Sequence, residues 1–101
     1  MIPKIIHQLW IGPDPMPKHC VEFCKEMKDM NPEFEHKLWG NEVLKEFKDD
    51  KYLYSYLELN SGIPIAFICD RIRLLLLKKY GGIYLDVDCK PIKPFSFIFD
   101  K

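Results

Sequence analysis

Neither sign of charge is in excess in this 101-residue chain, in which 15 Lys+Arg balance 15 Asp+Glu. That balance gives no general attraction to nucleic acid or to an anionic membrane, so any bound anion must be held by a local site. Also missing is an unbroken apolar run of the ~18–20 residues that a membrane span needs. The longest, Ile63 to Leu77, is interrupted by Asp70, Arg71 and Arg73. The opening MIPKIIHQLWIGP is too short and too polar for a signal peptide. A soluble, cytoplasmic protein is expected, with Cys20, Cys24, Cys69 and Cys89 as reduced thiols rather than two disulfides. The sequence has no repeat, no low-complexity linker, no glycine-rich phosphate loop and no legible Ser-His-Asp or Cys-His arrangement. His19, Cys20 and Cys24 lack a second ligand pair at finger-like spacing, which argues against zinc.

What is present is ample core material. Hydrophobic residues make up 48% and aromatics 14%, which excludes the disordered class and fits one domain over residues 1–101. Lys4 to Trp10 is an apolar-rich run closed by the Gly12-Pro13-Asp14-Pro15 cluster, read as a buried strand and a loop. From Pro17 to Met30, Cys20, Phe23, Cys24 and Met27 recur at helical spacing, with lysines and glutamates on the opposite face. Asn31-Pro32 ends that helix, because proline disfavours helix in the residue before it. Phe34 to Trp39 reads as a second strand, and Asn41 as the N-cap of a short helix through Phe47. Tyr52 to Leu59 is ambiguous, with Tyr52, Tyr54 and Tyr56 expected to pack. Asn60-Ser61-Gly62 is a turn, and Pro64 suits the first turn of a helix running to about Tyr80 with Gly81 as its left-handed cap. Ile83 to Val87 then reads as a strand. The order strand, helix, strand, helix, helix, strand predicts an α/β fold with parallel strands.

The stretch DRIRLLLLKKYGGIYLDVD carries the chemistry. On a strand, side chains alternate between faces, which puts Ile83, Leu85 and Val87 on one and Tyr84, Asp86 and Asp88 on the other. Carboxylates at i and i+2 lie roughly 7 Å apart at Cα, close enough to converge on a cation and a bridged diphosphate. A solvated acidic strand face is the alternative reading of the same pair. Asp70 and Arg73 are i,i+3 neighbours on one helix face, which fits either a local ion pair or a polar pair facing a ligand. Trp10 ends a strand before a Gly-Pro loop, where a flat ring packs in the core or meets a base. His7 is read as a hydrogen-bonded structural histidine, and Cys20 and Cys24 as core thiols.

IPKIIHQLWIGP, NPEFEHKLW and AFICDRIRLLLLKKYGGIYLDVD occur in this order. Together they resemble the DXD sugar-transferase family that includes fungal initiating mannosyltransferases, capsule-type transferases and, more distantly, the clostridial toxin glucosyltransferases. The resemblance implies a GT-A-like, Rossmann-like nucleotide-sugar fold. It also implies a metal-dependent, retaining transfer from a nucleoside-diphosphate sugar, uridine being the commonest nucleotide. In that likeness Trp10 stacks on the nucleobase, and Asp70 and Arg73 contact the donor sugar. Tyr84 lies near the donor, and Asp86 and Asp88 serve ribose and metal, Mn²⁺ or Mg²⁺. Arg73, Asp86 and Asp88 form the expected catalytic set, and no general base is assigned. Cys69 stands where the family usually has serine, replacing one potential hydroxyl contact with a thiol. Relatives continue well past the DXD strand, so a minimal or truncated donor-binding part is expected. The alternatives are a non-catalytic nucleotide-sugar binding module or half-enzyme completed by another chain, and a plain α/β interaction domain. The apolar residues Phe95, Phe97, Ile98 and Phe99 imply association with another copy.

Overall fold

A computed structural model describes residues 3–54 and 65–90. The turn at Asn60-Ser61-Gly62, Pro64, the packing of Tyr52, Tyr54 and Tyr56, and the apolar residues 95–99 lie outside what is described.

Three strands, β1 (Ile5–Leu9), β2 (Glu35–Trp39) and β3 (Ile83–Tyr84), form a sheet in the order β2-β1-β3. Both pairings are parallel, Ile5 opposing Glu35 and His7 opposing Tyr84 in register. Parallel strands need crossovers, and here each crossover contains helix. The first is α1 (Lys18–Met30); the second contains the one-turn α2 (Val43–Glu46) and α3 (Lys51–Tyr54), then the long α4 (Ile65–Tyr80).

The central strand is covered on both faces, and its alternation sorts the core. Ile6 packs with Met27 of α1, Phe34, Ile83 and Leu85. Leu9, on the other face, packs with Ile68, Ile72 and Leu76 of α4, together with Val43, Leu44 and Leu53. Those three α4 residues are spaced i, i+4, i+8 and are essentially inaccessible. Each such side chain contributes about 1.5–3 kcal/mol on burial. On α1 the stripe Cys20, Cys24 and Met27 is buried as its periodicity predicts, and Cys20 and Cys24 pack around Val87. Asn31 ends α1, its side chain donating to the Met27 carbonyl at 2.9 Å.

Two expectations are corrected. Asn41 does not cap α2: the preceding residue Glu42 is already in helical conformation and makes no side-chain cap bond. Asn41 instead accepts from the Gly12 N–H at 3.0 Å and donates to the Gly12 carbonyl at 3.2 Å, stapling the loop after β1 to the end of β2. The strand expected over 83–87 stops at Tyr84. One more ladder bond follows, from the Leu85 N–H to the His7 carbonyl at 3.0 Å. Beyond it the chain turns, and the Cys89 N–H donates to the Asp86 carbonyl at 3.1 Å. It is β3 that departs: β1 runs on beside β2 to Leu9, while the chain after Leu85 turns away as Val87 packs against Cys20 and Cys24.

The link from α4 to β3 has the expected glycine chemistry. Gly81 has φ +72°, and its N–H bonds to the Leu77 carbonyl at 2.9 Å. Gly82 has φ +97°, and a Cβ there would fall 2.5 Å from the Ile5 carbonyl oxygen. A side chain at 82 would therefore push β1 and β3 apart.

Candidate functional site

All three strands run the same way, so the ends of β1 and β3 present their loops together, as ligand sites on open α/β sheets do. A cleft of about 490 Å³ opens there. Its walls include Trp10 after β1, His19 on the first turn of α1, Cys69 of α4, and Tyr84, Asp86 and Asp88. Four of the six residues expected at the site therefore share one cavity. They do so by a different route from strand alternation: Asp86 and Asp88 are brought to the cleft by the turn, with Val87 between them buried against α1.

Trp10 is fixed by its indole N–H, which donates to the Asp14 carbonyl at 2.8 Å, while its ring packs at the edge of the Cys20–Cys24–Val87 cluster. Asp86 and Asp88 are exposed, and among the described residues neither carboxylate has an ion pair or a hydrogen bond. Tyr84 lies between cleft and core. Burial, and then the negative charge of Asp86, push its phenol far above the ordinary range, with Arg73 opposing them. Its hydroxyl is thus a neutral donor. Burial, followed by Asp70 and Asp86, likewise raises the Cys69 thiol. That thiol remains protonated at neutral pH and is a poor nucleophile.

Asp70 and Arg73 do not line the cleft. Both are exposed on α4 and no ion pair joins them, so the local-pair alternative is not realised. They adjoin the site through Tyr84, whose ring centroid lies 5.8 Å from the Arg73 guanidinium carbon. His7 takes the expected structural part. The Trp39 indole donates to its Nδ1 at 3.0 Å, so the ring proton sits on Nε2, which donates to the Gly81 carbonyl at 2.8 Å. Burial lowers its pKa, keeping this neutral tautomer, and the ring ties β1 and β2 to the glycine turn.

Two residues that the sequence did not single out belong here. Gln8 is fully buried in β1 and donates from Nε2 to the Asp86 carbonyl at 3.2 Å. His36 of β2 donates to Gln8 Oε1 at 2.6 Å. The available signal was a primary amide in the middle of an apolar strand. Such a group needs partners, but pattern alone does not say which.

Among the described residues no three metal-ligating side chains converge. Two solvated carboxylates on one turn nevertheless fit Mg²⁺ or Mn²⁺, which commonly take one or two carboxylates and complete their shell with phosphate and water. Among the described residues, no helix is long and apolar enough to cross a membrane.

A parallel sheet clad by helices on both faces, with an acidic turn at the end of a strand beside the first strand, defines a GT-A-like α/β domain. The PaToxG glycosyltransferase shares that fold, with a TM-score of 0.62 over 93% of this chain and 45% of that one, at 22% identity. The chain belongs to the family described as glycosyltransferase sugar-binding region containing DXD motif, whose model matches residues 17–101. It is similar to inositol phosphoceramide mannosyltransferase 3 of Schizosaccharomyces pombe, at 38% identity over 86% of this chain and 24% of the relative. It is also similar to mannosyl phosphorylinositol ceramide synthase SUR1 of Saccharomyces cerevisiae, at 37% identity over 87% of this chain and 23% of the relative. The chain thus spans about a quarter of the length of these relatives.

Proposed function

We propose that this chain is the donor-binding part of a metal-dependent, retaining glycosyltransferase that takes a nucleoside-diphosphate sugar, with uridine as the nucleotide. The observation that carries this reading is the convergence of Trp10, Tyr84, Asp86 and Asp88 on one cleft at the ends of adjacent parallel strands. Trp10 offers a flat ring to the base, at a point where its indole N–H is already engaged and only its face is free to stack. Asp86 and Asp88 hold the cation and the ribose, and Tyr84 donates a hydrogen bond to the donor. Asp70 and Arg73 meet the sugar from α4, the carboxylate accepting from a hydroxyl and the guanidinium facing developing negative charge. When bound, Mn²⁺ or Mg²⁺ supplies Lewis-acid neutralisation of the diphosphate as the sugar–phosphate bond breaks. Mannose is the first sugar to test, because the fungal relatives are named for mannosyl transfer.

A second reading is a nucleotide-sugar binding half that turns over only with further chain. It is favoured by the share of the relatives that this chain spans. Without a positioned acceptor the chain forgoes a proximity contribution of about 7–11 kcal/mol. Uridine and guanosine diphosphate sugars, incubated with the chain and Mn²⁺ and analysed for released sugar, separate the two readings. Slow donor hydrolysis supports the first, and metal-dependent binding without any turnover supports the second. Binding of neither nucleotide sugar would sink both.

A further inference from the structure

Gln8 is the fourth of the five residues of the central strand. A buried primary amide is costly unless its donors and acceptor are used. Both ends of this one are. Its nitrogen lies 3.2 Å from the Asp86 carbonyl oxygen, and its oxygen 2.6 Å from His36 Nε2. A carbonyl can only accept, so the NH₂ must face Asp86. The amide oxygen then faces His36, whose Nε2 must carry a proton. The amide is therefore aligned from both sides, with no second orientation that satisfies both partners.

The bond falls where the ladder fails. The Leu85 N–H makes the last backbone rung to β1, and the Asp86 carbonyl lies just past it. That carbonyl receives two donors, the Gln8 amide from β1 and the Cys89 N–H that closes the turn. Gln8 thus acts as a side-chain rung that pins the first residue of the turn to the central strand. The two carboxylates that reach the cleft are the first and third residues of this turn, so its attachment decides where both point.

We infer that Gln8, aligned by His36, is a positioning residue that holds the Asp86–Cys89 turn in the geometry with which Asp86 and Asp88 meet cation and diphosphate. The inference rests on the reading of this turn as the metal site. Partners behind metal-binding groups fix their orientation, and losing one costs about 10- to 100-fold in metal affinity or activity.

Two variants test it. Gln8→Glu keeps the length and the acceptor for His36, and once ionised has no hydrogen to donate to Asp86. Gln8→Met keeps the length with neither group, and carries the test if a buried carboxylate unfolds the chain. Amide hydrogen exchange without ligand is read at Cys89 and Leu85, and UDP affinity is read with and without Mn²⁺. The expected result is faster exchange at Cys89 with Leu85 still protected, and Mn²⁺-dependent UDP affinity lowered about 10- to 100-fold. Exchange and affinity like wild type in a folded variant would show that Gln8 only fills the core. Faster exchange with unchanged affinity would also overturn the inference, because the turn would not need Gln8 to bind. If the wild-type chain itself lacks Mn²⁺-dependent UDP affinity, the metal reading falls, and exchange at Cys89 alone decides whether Gln8 holds the turn.

Discussion

Asp50 and the pair Asp86/Asp88 are carboxylates in opposite circumstances. The Asp50 side chain is only 10% exposed. Its Oδ2 accepts from Arg71 Nε at 3.0 Å and Nη2 at 2.6 Å, and its Oδ1 accepts from the Leu53 N–H at 3.4 Å. It joins α3 to α4 and is neutralised where it sits. Asp86 and Asp88 are exposed, make no such bonds among the described residues and open on a cleft. A carboxylate that serves the fold is enclosed and paired, because an uncompensated buried charge is expensive. A carboxylate that serves a ligand must stay solvated until the ligand arrives.

The largest effect is expected from Asp88→Ala. Losing a direct ligand should reduce Mn²⁺-dependent nucleotide affinity by more than the roughly 100-fold that an outer partner costs. Stability should move by no more than about 0.5 kcal/mol, since the residue packs against nothing. Isothermal titration and a urea melt on the same preparation check both halves. Asp50→Ala is the mirror experiment. Removing this enclosed acceptor takes away two charge-assisted hydrogen bonds from Arg71 and the bond to the Leu53 N–H, which should cost about 2 kcal/mol of stability. For a chain of this size that corresponds to a fall of roughly 8 °C or more in melting midpoint. Nucleotide affinity of the remaining folded protein should be unchanged.

Smaller effects sharpen the picture around Tyr84. Tyr84→Phe removes one neutral hydrogen-bond donor, so donor affinity should fall about three- to tenfold in a competition titration. The same variant has a signature in alkali. Burial, and then Asp86, hold the folded phenol above its ordinary value, whereas the unfolded chain ionises near pH 10. The stability linked to this group is complete below about pH 10 and is lost as pH rises past it. Urea melts at about pH 8 and about pH 10.5 should show a smaller loss in Tyr84→Phe than in wild type.

Most of the fold is legible because it is local. The α1 stripe, the two strands at 5–9 and 35–39, the end of α4 and the left-handed Gly81 follow from period, proline and glycine alone. What escaped is long-range. Asn41 satisfies a loop 29 residues away rather than its own helix, and no local rule distinguishes those partners. The alternation expected to continue through Asp88 is cut short where the chain turns at Asp86–Cys89, and that turn is held by partners on β1 and α1 that the local pattern does not name. Gln8 and His36 meet only because three strands lie side by side, so their link to Asp86 is invisible until the register is known. The sequence thus pointed to the acidic pair but not to the turn that carries it.

Paramagnetic broadening by Mn²⁺ shows whether the Asp86–Cys89 turn holds the cation. Amide spectra of the chain are recorded with UDP as Mn²⁺ is added in substoichiometric amounts. Broadening is expected to centre on Asp86 to Cys89 and to reach Trp10, while amides around Asp50 remain sharp. Broadening centred on Asp50 or on another acidic stretch, or none near Asp86 and Asp88, would contradict it.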